Sequence, residues 1–117
     1  MNSLIETIFS NFQVNGYDIP VSFLRYNGKA TTYITYMHYD SDNSFSGDNE
    51  LLGWVEYYDF DIYSKGNYLN IIESVKELMK QNGFMFQPSR CSADMYEDDT
   101  GYFHKTLSFA IEREEEE

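Results

Sequence analysis

At 117 residues and 13.8 kDa, the chain has room for one domain whose core needs no disulfide or metal staple. Lys and Arg number 8 against 20 Asp and Glu, a formal charge of −12, which argues against tight nucleic-acid binding because that affinity comes from neutralising phosphates with cations. The single cysteine, Cys91, excludes an intramolecular disulfide and a cysteine-cluster metal site, while an aromatic content of 18% points to half-buried contact surface.

Residues Met1 to Glu6 lack the basic start and apolar run of a signal peptide, and no stretch approaches the roughly 18 apolar residues of a membrane span. A soluble protein made in a reducing compartment is expected. Ser3 and Glu6 have the spacing of a capping box, and Leu4, Ile5, Ile8, Phe9 and Phe12 recur at three- and four-residue intervals, predicting a helix that ends before Gly16. Pro20 suits the first residue of a strand reaching Tyr26, and Asn27-Gly28 is a turn dipeptide of the kind hairpins use. From Thr31 to Tyr39 the chain is β-branched and aromatic, with Tyr33, Thr35, Met37 and Tyr39 on one face of a strand and Ile34, Tyr36 and His38 on the other.

The stretch from Asp40 to Glu50 is polar and turn-rich, predicting a loop or an extended hairpin tip. Its acids fail as a calcium loop, since the sixth place holds Phe45 instead of Gly and the twelfth Leu51 instead of Glu. In the next strand Trp54, Tyr58, Phe60 and Ile62 share one face, spoiled only by Glu56, while Val55, Tyr57, Asp59, Asp61 and Tyr63 share the other. The period then changes: Leu69, Ile71, Ile72, Val75, Leu78 and Met79 line one side of a helix over Asn67–Asn82, with Asn67 as N-cap and Gly83 just past the end. Phe84 to Phe86 begins a strand that Pro88 and Ser89 interrupt, placing a bulge or sheet edge there, and Cys91 to Tyr96 continues it. Residues 97 to 101 form a turn cluster, and Tyr102 to Glu112 alternates as a final strand.

The expected architecture is a single α+β domain over residues 1–112, with a mainly antiparallel sheet of four or five strands, an N-terminal helix and one long helix packed across one face. Residues 113–117 form an acidic run whose self-repulsion predicts a disordered tail.

Nothing marks an enzyme. His38 and His104 each occupy an ordinary pleat position, Cys91 has no orienting partner for nucleophilic chemistry, and Ser64 to Asn67 lacks the glycines of a phosphate loop. Asp98 and Asp99 are adjacent and face different ways in water. No catalytic residue, metal or cofactor is expected.

The order of segments carries a resemblance. The run Tyr57 to Tyr68 with its Ile62-Tyr63-Ser64-Lys65-Gly66 corner, the helix around Ile72–Met79, then Gly83-Phe84, and finally the run Asp94 to Lys105 with its Tyr96-Glu97-Asp98-Asp99-Thr100-Gly101 turn, resemble the tail-completion, or tail-to-head joining, proteins of siphophages that infect Gram-positive bacteria. The resemblance covers the whole chain and contains no catalytic signature. It implies a virion protein that caps the head-proximal end of the tail tube, stops tube growth and docks the head connector; related tail terminators, phage lambda's among them, form hexameric rings of a small α+β subunit. The implied partners are the tail tube protein, the head completion or connector protein and further copies of the chain, with DNA passing through unbound and no membrane involved. Such a ring needs two different patches per subunit. The candidate contact residues are Asp42, Phe45 and Asp48 in the first polar stretch and Tyr96, Glu97, Asp98, Asp99 and Tyr102 in the second. Both stretches are expected to order only against a partner, being too poor in apolar residues to pack on their own domain. The competing expectation from the charge is an acidic phage-encoded inhibitor that mimics DNA.

Overall fold

The computed structural model describes residues 2–47, 50–66 and 68–114, with side-chain environments for 4–41, 53–66 and 68–113. The elements in order are α1 (Asn2–Ile8), β1 (Gln13–Val14), β2 (Tyr17–Asp18), β3 (Val21–Phe23), β4 (Thr32–Gly47), β5 (Glu50–Ser64), α2 (Leu69–Gln81), β6 (Met85–Phe86), a 3-10 turn (Pro88–Arg90), β7 (Met95–Glu97) and β8 (Tyr102–Glu114). Strands β4 and β5 form one long antiparallel hairpin, β8 lies antiparallel on the far side of β5, and β6 and β7 pair with separate parts of β8. Strand β3 runs parallel to β4, so the six-stranded sheet, ordered β3-β4-β5-β8-β6, is mixed.

The expected antiparallel hairpin at Asn27-Gly28 is therefore corrected. After Phe23 the backbone turns through a left-handed Leu24 (φ 66°), and residues 24–31 cross over before β4 sets off in the same direction as β3. Tyr26 stacks on Tyr33 with ring centroids 4.7 Å apart, and its hydroxyl accepts the Ala30 N–H at 3.0 Å. That ring passes so close to Gly28 that a side chain there would overlap it, so this glycine serves a close approach instead of a turn. The true two-residue hairpin is Asn15-Gly16, whose positive φ values of 54° and 83° suit a type I′ turn joining β1 to β2. Helix α1 runs from Asn2 to Ile8, so it ends before Gly16 as expected and begins ahead of Ser3.

One face of the sheet holds the core. Ile34 and Tyr36 of β4, Tyr58, Phe60 and Ile62 of β5, and Leu107, Phe109 and Ile111 of β8 are buried against Ile5, Phe9 and Phe12 at the N-terminus and Ile71, Ile72, Val75 and Met79 of α2. Burying each such side chain contributes roughly 1.5–3 kcal/mol. Helix α2 keeps the predicted apolar stripe except at Leu69, which is 60% exposed. Asn67 lies outside the described residues, and the residue that precedes the helix is Tyr68, which makes no side-chain cap bond. At the other end Gly83 (φ 86°) lets its own N–H reach the Lys80 carbonyl at 3.2 Å and the Phe84 N–H reach Met79 at 3.0 Å, closing the helix and burying Phe84.

Two further expectations meet the structure. Of the two forms expected for the stretch from Asp40, the extended hairpin is the one found: residues 40–47 of β4 pair with residues 50–57 of β5 instead of forming a loop. Arg113 and Glu114, grouped with the acidic tail, end β8 opposite Trp54 and Gly53; residues 115–117 lie outside the described ones. Among the described residues, no helix is long and apolar enough to cross a membrane.

Candidate functional site

The face of the sheet away from the helices is polar and aromatic. Cross-strand register builds it in rows: Tyr33, Tyr63 and His104; Thr35, Asp61 and Thr106; Met37, Asp59 and Ser108. In the first row Tyr33 stacks on Tyr63 at 4.9 Å and Tyr63 on His104 at 4.2 Å, with Tyr102 edge-on to both tyrosines and Lys65 over the Tyr102 ring. Burial raises the hydroxyl pKa of Tyr33 and Tyr63, helped for Tyr33 by Tyr102 and for Tyr63 by Asp61. In the second row one Asp61 oxygen accepts from Thr106 Oγ1 and lies 3.3 Å from His104 Nε2.

The third row is closed from the side. Residues 87–92 run along β8, with Gln87 N–H donating to the Ser108 carbonyl and Ser92 N–H to Thr106. From that segment Arg90 reaches back over β5 and β4: its guanidinium stands 4.1 Å from the Tyr57 ring centroid and donates to the Tyr39 hydroxyl at 2.6 Å. Tyr39 Oη and Ser108 Oγ are 3.2 Å apart. Asp59, beneath this bridge, has one buried oxygen without a partner, and desolvation raises its carboxyl pKa against the lowering effect of Ser108. Sequence alternation had already put Asp59 and Asp61 on this face. Arg90 had no such signal, because Pro88-Ser89 indicates an interruption and not the direction of the next side chain.

Glu56, the polar residue on the otherwise apolar face of β5, is satisfied by its neighbours two residues away, Trp54 Nε1 at 3.2 Å and the Tyr58 hydroxyl at 3.4 Å. Burial, then Glu56, pushes the Tyr58 hydroxyl well above the ordinary tyrosine range.

The two histidines are kept apart on the sheet. His38 bonds Ser41 at 2.8 Å and meets Tyr58 on the helix-side face, whereas His104 belongs to the opposite face. The Cys91 thiol donates to the Gln87 carbonyl at 3.3 Å and accepts the Ser108 N–H at 3.4 Å, a structural setting. Among the described residues no group of three His, Cys, Asp or Glu could hold a metal ion.

The candidate contact residues fall at opposite ends of the sheet. Asp42 and Phe45 lie on β4 near the tip of the hairpin, with side chains outside the described set, and Asp48 is itself outside the described residues. Tyr96 and Glu97 end β7, Asp98 and Asp99 occupy the turn, and Tyr102 begins β8 beside the base of β5. Within that turn Thr100 Oγ1 donates to Glu97 at 3.1 Å, and Gly101 takes φ 75°. Tyr96 is 54% exposed and packs on Phe103 at 4.8 Å. Register sets Asp42 opposite Val55 and Phe45 opposite Gly53, while Phe103, next to Tyr102, lies opposite Ser64, so the two groups are roughly 30–36 Å apart at the rise of a strand.

The hairpin is acidic along its length. From Ala30 to Ser64, the two strands and their tip, the sequence contains Asp40, Asp42, Asp48, Glu50, Glu56, Asp59 and Asp61 and no Lys or Arg. Register adds Glu112 and Glu114 of β8 beside the outer half of the hairpin, with Arg113 the single cation between them. No protein-family model matches the chain, and no curated protein does.

Proposed function

We propose that this chain is a tail-completion protein, a virion component that caps the head-proximal end of a siphophage tail tube and joins it to the head connector as a hexameric ring. The observation that carries this reading is the acidic, cation-free hairpin, placed at the end of the sheet opposite the Tyr96–Tyr102 turn. A joining piece has to touch two unlike neighbours and its own copies, and a subunit with two dissimilar contact ends meets that need for a heterologous, closing ring. A lumen lined by such hairpins repels phosphate and lets DNA slide without holding it. The resemblance at the Ile62-Tyr63-Ser64-Lys65-Gly66 corner and the Tyr96–Gly101 turn points the same way.

Shortening the hairpin tests the role. Register places Asp42 opposite Val55, so replacing residues 43–54 with Asn-Gly leaves a two-residue turn on a pair that exists in the full chain. The variant is expected to keep a cooperative melt, and purified tails completed with it should fail to join heads in electron micrographs. Normal joining by the shortened chain would remove the hairpin from the docking role. Tight binding to a nuclease or repressor, with no effect on tails, would favour the DNA-mimic reading.

A further inference from the structure

Strand β4 is 16 residues long, yet β3 covers its outer edge only from Ile34 to Tyr36. The last backbone bond on that edge runs from the Leu24 N–H to the Tyr36 carbonyl at 2.9 Å. From Met37 to Gly47, among the described residues, no backbone group pairs with it. Unpaired ladder groups are a template for another strand, and proteins that leave such an edge open commonly guard it with bulges and charge. Here the register slips between His38 and Asp40 and twice more between Asn43 and Ser46, and Asp40 and Asp42 lie on the strand.

The corner where β3 leaves the edge is unusual. Leu24 holds the left-handed backbone that Gly or Asn adopts more readily, yet its side chain is 60% exposed, and the adjoining Phe23, stacked on Tyr36, is 45% exposed. Strain that presents an apolar side chain to solvent gains nothing for the fold by itself. Beside an open ladder it supplies an apolar stop for an incoming chain.

We propose that the β4 edge is a docking site for an extended, basic segment of another protein, which takes up the line of β3 and pairs with β4 from His38 outward. Charge selects the occupant. A second copy would set acid against acid across the new ladder, where like charges destabilise, whereas Lys or Arg at alternate positions of a partner strand would meet Asp40 and the field of a hairpin that has no cation of its own. The docking does not require a role in phage tails, since any strand of that chemistry satisfies it.

The test uses the full-length, 15N-labelled chain and three ten-residue probes: alternating Lys and Val, alternating Glu and Val, and the Lys/Val peptide N-methylated at every backbone amide. The Lys/Val peptide is expected to shift and protect from exchange the amides of β4 from His38 onward together with Leu24, and to bind at least tenfold more tightly than either control. Ile34 N–H bonds Pro20, so alternation turns the His38 N–H outward as well, and His38→Pro should cost at least tenfold in binding with no loss of the cooperative melt. Should that variant misfold, Leu24→Gly, which relieves the strain and deletes the stop, is expected to weaken binding severalfold on a stable domain. Equal binding by the N-methylated peptide would show charge alone at work and overturn the proposal. So would protection confined to the aromatic face, or self-association that protects the same amides without peptide.

Discussion

Asp59 has surroundings that suit a carboxylate poorly. Its buried oxygen has no partner, burial opposes ionisation, Asp61 adds repulsion, and Ser108 and Arg90 compensate in part. The folded carboxyl pKa is therefore above the ordinary value of 3.8, so the folded state holds the proton more tightly than the unfolded chain does. The sign follows: this group costs no stability below the unfolded value, and stability falls as pH rises from there through the raised folded value, levelling off above it. Asp59→Asn should raise stability at pH 7 by on the order of 1 kcal/mol, a shift in Tm of a few degrees, and make no difference at pH 3. Thermal melts at the two pH values decide it, and a loss of stability at pH 7 would mean that the Arg90 charge outweighs burial. Tyr68 and Asp94 show the reverse arrangement, where the tyrosine hydroxyl and then Lys105 bond the carboxylate and hold its pKa down, while burial first and then Asp94 push Tyr68 up to about 12.

Among the elements, α2 is the one on which the fold depends most clearly, since it covers the centre of the sheet with Val75 fully buried and Ile72 nearly so. Val75→Asp or Ile72→Asp should unfold the domain, because a buried unpaired charge costs several kcal/mol, comparable to the whole stability of a domain this size. A circular-dichroism melt unchanged from that of the parent would place these residues on the surface. This helix was legible in the sequence because a 3.6-residue stripe and a closing glycine are local signals, and the alternation of β5 and β8 was legible for the same reason. The two Asn-Gly dipeptides show where local signals stop. Asn15-Gly16 makes the tight turn and Asn27-Gly28 does not, and the difference lies in Tyr26 packing across Gly28 onto Tyr33, a contact made after the chain has folded. Parallel pairing of β3 had no signal, since neither alternation nor turn chemistry names a strand's neighbour. Polar residues 40–47 became strand because β5 was there to pair with them, and the Arg90 bridge depends on an approach from another element.

Taken whole, the molecule measures 54 × 27 × 24 Å with a radius of gyration of 15.7 Å, larger than the roughly 13 Å of a compact domain of this length. The hairpin accounts for the long axis, and its composition gives it a second property. Trypsin cuts after Lys and Arg, and between Lys29 and Lys65 there is neither. Digestion of the unfolded chain should release residues 30–65 as one fragment, while a glutamate-specific protease has sites at Glu50 and Glu56 within the same span. Exposed strand ends are cut when they open, and pairing with another chain holds them closed. Cleavage by the glutamate-specific enzyme should therefore slow on binding of any partner along the hairpin, and the masses of the pieces of the tryptic fragment would report which of its two glutamates had been shielded.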